Sequence, residues 1–153
     1  IWNSQVAPGD TVYVLGDLTF GNFSQTQQII SSLNGRIVLI RGNHDRRSSS
    51  WYRRLGIEVI EGPVIFSDLI VLSHYPRYPS LLRRLYYRLF DRSMLRYLER
   101  HIMNHDNYLI VHGHVHNRWR FDRLQYQLNV GWDAWHRLVN LKEIEEVISL
   151  RRR

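Results

Sequence analysis

The sequence predicts an α/β fold, on three observations. Apolar runs of about five residues, rich in Val and Ile, recur along the chain and suit buried strands rather than helices. Two of them, residues 11–15 and 37–41, bracket a stretch of helical period at 24–34, the pattern of a βαβ unit with parallel strands. Several runs also stop abruptly at Asp, Asn or His, so polar side chains collect at strand ends, where layered α/β proteins build their sites.

Taken in order, Pro8-Gly9-Asp10 marks a turn before the strand TVYVL at 11–15, which ends at Gly16-Asp17. The helix at 24–34 has Ser24 as its expected N-cap, Gly35 as its left-handed terminator, and Ile29, Ile30 and Leu33 as its core stripe. The strand at 37–41 runs into Gly42-Asn43-His44-Asp45, where packing stops and polar side chains begin. A short helix is expected at 49–55, closed by Gly56, and short strands at 57–60 and 64–66. The run LIVLS at 69–73 delivers His74, and YLIV at 108–111 delivers His112-Gly113-His114-Val115-His116. Strands are then expected at 118–121, 125–130 and 137–140, and a helix at 141–150. There are no repeats and no linker, so 1–153 reads as one domain.

Residues 79–104 stand apart. Their period is helical, and Arg84, Arg88, Arg92, Arg96 and Arg100 recur at every fourth position. Like charges at that spacing repel by a few tenths of a kcal/mol per pair, which water or an anionic partner would relieve. The segment reads as a solvated face or as a basic helical lid that catches phosphate-bearing substrates. His101 and His105 lie one helical turn apart within it, but no Glu follows His101 to make a zinc-protease motif.

Composition narrows the chemistry. Of 153 residues 44% are hydrophobic, which excludes a disordered chain, and no apolar run approaches the length of a membrane helix. With no cysteine, disulfides and thiolate metal sites are excluded, so any metal must be held by His, Asp, Asn or Glu. That donor set favours Mn, Fe, Zn or Mg. The net charge is +7 and Lys142 is the only lysine; guanidinium groups grip phosphate through paired hydrogen bonds, so phosphate-bearing partners fit. The chain is expected in the cytoplasm.

Asp17, Asn43, His74, His114 and His116 thus lie at the ends of four different strands. Each alone is an ordinary turn or core residue; together they read as ligands of a metal centre. His114 and His116 sit two apart, which on extended chain turns both rings to one side.

Gly16-Asp17, GNHD at 42–45, SHYP at 73–76 and GHVH at 113–116, in that order, resemble the motifs of the calcineurin-like metallophosphoesterase superfamily. The resemblance spans residues 3–149. It implies a four-layer α/β/β/α sandwich of two mixed sheets flanked by helices, with a two-metal site. Asp17 would bridge both ions, Asn43, His74 and His114 would complete one, and His116 would bind the other. Manganese is expected first, with Fe, Zn, Mg or Ni as alternatives. His44 would contact the phosphate and act as general acid; Asn43 and Arg41 join it as expected substrate contacts. The implied function is hydrolysis of a phosphomonoester or phosphodiester, the substrate nucleotide-like, by in-line attack of a metal-bridging hydroxide.

One motif of that superfamily is missing: none of the eight aspartates is followed two positions later by His. The expectation is therefore an enzyme fragment lacking its first strand, which holds the Asp17–Asn43–His74–His114 ion firmly and the other weakly. A second class of function fits such a chain, a catalytically impaired binding module whose Arg-rich helices contact nucleic acid or, less readily, anionic lipid.

Overall fold

The computed structural model describes residues 1–18, 21–77, 85, 88–89 and 107–151. Helix α1 (Trp2–Gln5) precedes strand β1 (Thr11–Val14), helix α2 (Phe23–Ile30), strand β2 (Arg36–Ile40) and helix α3 (Ser49–Arg53). Strands β3 (Glu58–Ile60), β4 (Val64–Ser67), β5 (Ile70–Leu72), β6 (Leu109–His112), β7 (Phe121–Asp122) and β8 (Gln127–Asn129) follow, then helices α4 (Trp132–Trp135) and α5 (Leu141–Arg151). The Arg-rich stretch lies outside the described residues except for Leu85, Arg88 and Leu89, so the expected lid, with Arg84, Arg92, Arg96, Arg100, His101 and His105, is not described.

Two sheets are flanked by helices. One has the order β1-β2-β3 and the other β4-β5-β6-β8-β7. The βαβ unit forms as expected, β1 pairing parallel with β2 from Thr11↔Arg36 to Val14↔Leu39. Among the described residues only the second sheet is mixed: β3 also pairs parallel with β2, whereas β4 and β7 run antiparallel to their neighbours. The parallel sheet follows from its connections, since each strand returns through a helix on the same side.

Alternation along β2 divides the core. Ile37 and Leu39 join Tyr52, Leu55 and Ile57 in a cluster covered by Trp2 of α1, Phe23 of α2 and Leu33 beyond it. Ile40 joins Leu15, Ile70, Leu72, Leu109, Val111 and Leu128, with Ile144 and Ile148 of α5, in a second cluster. A strand buried on both faces is nearly all apolar, as RIVLI is. Beside β1, at the edge of its sheet, a cavity of about 630 Å³ is lined by Tyr13, Leu15, Phe66, Leu72, Val111 and Ile144.

Four expectations are corrected. Helix α2 spans Phe23–Ile30 rather than 24–34 and Ser31 is its C-cap, so Leu33 and the left-handed Gly35 (φ 86°) lie beyond it. Asn22, not Ser24, caps α2, its side chain accepting from the Gln25 N–H at 3.0 Å. The strand expected at 118–121 shrinks to Phe121–Asp122. Residues 137–140 form no strand: α4 ends at His136 in the left-handed conformation (φ 54°), and Asn140 then opens α5. There the Asn140 side chain accepts from the Glu143 N–H at 3.1 Å while Glu143 accepts from the Asn140 N–H at 3.0 Å, a reciprocal cap.

Candidate metal centre

The ends of β1, β2, β5 and β6 bring their following residues to one place, and the backbone is shaped to let them in. Gly16 adopts φ 87°; a Cβ there would lie 2.1 Å from His74 Nδ1. A Cβ on Gly42 would lie 2.4 Å from Asp17 Oδ1. Both positions require glycine because side chains of the centre occupy the space. Asp17 itself sits at φ 58°, a conformation that Asp tolerates better than most residues.

Asp17 divides its carboxylate. Oδ1 accepts the His44 N–H at 2.9 Å, leaving Oδ2 turned toward His74 Nε2 at 3.7 Å. His74 is buried at 2% exposure, and its Nδ1 lies 2.8 Å from the Leu15 carbonyl. A carbonyl only accepts, so Nδ1 carries the proton and a neutral ring keeps its lone pair at Nε2. That nitrogen lies 2.8 Å from Asn43 Oδ1 and 3.0 Å from His114 Nδ1. The second sheet aligns the two rings through its own backbone, the His114 N–H donating to the His74 carbonyl at 3.2 Å. Tyr75, also buried, sets its ring 4.6 Å from that of His74 and 4.9 Å from that of His114.

His74 Nε2, Asn43 Oδ1 and Asp17 Oδ2 are thus three electron-rich atoms gathered without a proton of His74 between them. Such atoms repel unless a cation joins them. The separations around His74 Nε2 run from 2.8 Å to Asn43 and 3.0 Å to His114 up to 3.7 Å to Asp17. In chemical type the donors, one carboxylate, two imidazoles and an amide oxygen, suit a divalent ion. As they stand the ring nitrogens engage one another, and among the described residues no group of three or more His, Cys, Asp or Glu is arranged to hold a metal.

His116 is not drawn in. Its backbone is left-handed (φ 53°) and its exposed ring pairs with Asp133, Nδ1 to Oδ2, at 2.5 Å. Arg41 also turns away from the cluster. Its Nε donates to Glu61 at 2.9 Å, Nη1 to the Asp45 and Arg47 carbonyls, and Nη2 to Ser49 Oγ at 2.8 Å. The guanidinium braces the loop after β2. His44 is exposed beside Asp17, so its ring is accessible to substrate.

Sequence reasoning passed over two organising residues. Asp45, 3% exposed, accepts the N–H groups of Asp17 at 2.7 Å, Leu18 at 3.0 Å and Gly42 at 2.8 Å, and the Tyr52 hydroxyl at 3.2 Å. Asn129, fully buried, donates to the His116 carbonyl at 2.6 Å and the Trp119 carbonyl at 2.7 Å and accepts the Gly131 N–H at 2.9 Å. A polar residue closing an apolar run was the available signal for both. His112, by contrast, orients no neighbour: both ring nitrogens lack a hydrogen-bond partner among the described residues. Burial, then the proximity of His114 and His74, pushes its pKa down to about 3, and the neutral ring packs edge-on against Trp119.

This chain belongs to the calcineurin-like phosphoesterases, whose family pattern matches residues 2–150. That membership makes it a phosphoester hydrolase of a metal-binding family. Its similar proteins include the Gene 66 protein of Mycobacterium phage D29, 29% identical over 97% of this chain and 80% of the phage protein. The Gene 66 protein of Mycobacterium phage L5 is also 29% identical, over 97% and 77%. The solved structure of a protein of unknown function from Aquifex aeolicus superposes with a TM-score of 0.65 at 27% identity, over 95% of this chain and 80% of that one. Among the described residues no helix is long and apolar enough to cross a membrane.

Proposed function

We propose that residues 1–153 act as one domain that hydrolyses a phosphomonoester or phosphodiester, with a nucleotide-like substrate suited to its Arg-rich composition. The observation that carries this reading is the meeting of Asp17 and Asn43 with His74 and His114 around one imidazole nitrogen. These four would hold one divalent ion, manganese first. Asp17 and His116 would hold a second, once the His116 ring leaves Asp133. Bound ions would neutralise phosphate charge and activate water for in-line attack.

The chain's own residues do the rest. Neutral Asn and His donors leave the centre's positive charge uncompensated except by Asp17, so an anionic phosphate is still attracted. Asn43 and His44 face the phosphate, and His44 gives a proton to the departing oxygen. Arg41 serves through the loop it braces, which carries both.

The test is turnover of bis-p-nitrophenyl phosphate with Mn²⁺. Asp17→Asn and His114→Ala should each abolish it, whereas His44→Ala should lower kcat by about 10²–10⁴-fold and leave metal binding intact. Variants of Asp17 and His114 that turn over like the parent would sink the proposal. Binding of polynucleotide without any turnover would favour the impaired binding module instead.

A further inference from the structure

We propose that the surface carried by residues 46–54 holds the flanking part of a single-stranded oligonucleotide whose phosphoester lies in the metal centre. This rests on the phosphoesterase reading and names its substrate class. Arg46, Arg47, Arg53 and Arg54 fall within nine residues and are all exposed. Among the described residues none of them pairs with a carboxylate; the arginines that do are Arg36, Arg41 and Arg137. Four uncompensated positive charges within one short segment repel each other and attract a polyanion.

Aromatic rings interleave these charges. The Arg54 guanidinium lies over Phe23 at 4.6 Å and that of Arg47 over Trp51 at 5.7 Å. Phe23 and Trp51 meet edge to face at 5.5 Å, so the order across the surface is Arg54, Phe23, Trp51, Arg47. Both rings are half-buried against the helix-side core, which holds them rigid. A guanidinium braced on a ring keeps its N–H groups free for a phosphate, and the solvent-facing parts of the half-buried rings give bases an apolar surface to pack on. Inorganic polyphosphate would use the charges and leave the rings idle.

The surface is joined to the centre. Arg46 is two residues beyond His44 and donates its backbone N–H to the His44 carbonyl at 2.8 Å. Tyr52, next to Trp51, bonds Asp45, which in turn holds the Asp17 and Gly42 backbone. A phosphoester small enough for the centre alone would leave this surface unused.

Binding of fluorescein-labelled dT12 by fluorescence anisotropy in EDTA, at 50 and 200 mM NaCl, tests the idea without turnover. Arg47→Gln with Arg54→Gln should weaken binding at least tenfold and reduce the slope of log K against log salt by about 1.4, two contacts at 0.7 each. Bis-p-nitrophenyl phosphate turnover with Mn²⁺ should be unchanged in that variant, and Trp51→Leu should weaken dT12 binding separately. The proposal falls if the double variant binds dT12 like the parent. It falls equally if polyglutamate or inorganic polyphosphate displaces the labelled strand as well as unlabelled dT12 does. A parent chain that binds dT12 through these residues but never hydrolyses the ester would overturn the phosphoesterase reading and leave this surface standing.

Discussion

Asp45 accepts four hydrogen bonds while almost fully buried, and three of them come from the backbone of Asp17, of Leu18 after it and of Gly42 before Asn43. Removing its carboxylate leaves those part-buried N–H groups without their acceptor. Asp45→Ala should therefore cost roughly 2–4 kcal/mol by urea denaturation and misplace Asp17 without touching a proposed ligand. Tyr52 belongs to the same network. Burial first, then the charge of Asp45 and the bond to it, raise its pKa from 10.0 to about 12. The neutral phenol is favoured in the folded state, so its contribution is complete below pH 10 and is lost as pH rises through 12. Tyr52→Phe should be less stable than the parent near neutrality by about 1 kcal/mol, and the gap should narrow between pH 10 and 12 in denaturation midpoints.

Elements place what residues cannot place for themselves. Strands β1 and β2 end side by side in one sheet, as β5 and β6 do in the other, and the Leu15 carbonyl ties the first pair to His74 of the second. Helix α5 supports that meeting by contributing Ile144 and Ile148 to the shared core, and its start depends on the reciprocal cap of Asn140 and Glu143. Asn140→Ala should lower stability by about 1 kcal/mol, measurable as a shift in thermal midpoint. Arg137, through its hydrogen bonds to Glu143, holds that carboxyl below its ordinary range. The Glu143 half of the cap then contributes above the unfolded carboxylate pKa and is lost as pH falls through the lower folded value, so the cost of Glu143→Gln should shrink in acid, read from denaturation midpoints.

At the scale of the whole molecule, a metal that binds only the folded chain stabilises it by mass action, by about 2.7 kcal/mol at a concentration 100 times its dissociation constant. Manganese should therefore raise the melting temperature of the protein, and Asp17→Asn or His114→Ala should flatten that response. Because His116 is turned to Asp133 while four donors stand together, isothermal titration should find one tight ion per chain and a second that binds weakly. Two equally tight ions would contradict that arrangement.

What the sequence alone determined is what local chemistry dictates. Strand character in the apolar runs, the parallel βαβ unit and the polar residues at strand ends are all written in short-range pattern and handedness, and the structure realises them. Four of the five expected metal donors meet, because a strand's end is a position that its own residues define. Only the tertiary structure decided where neighbouring strands put the others. It turned His116 toward Asp133 and Arg41 toward Glu61, left both His112 ring nitrogens without a hydrogen bond among the described residues, and gave Asp45 and Asn129 the task of holding the loops. Those outcomes depend on contacts between residues far apart in the chain, and a side chain's partner across that distance leaves no trace in its immediate sequence.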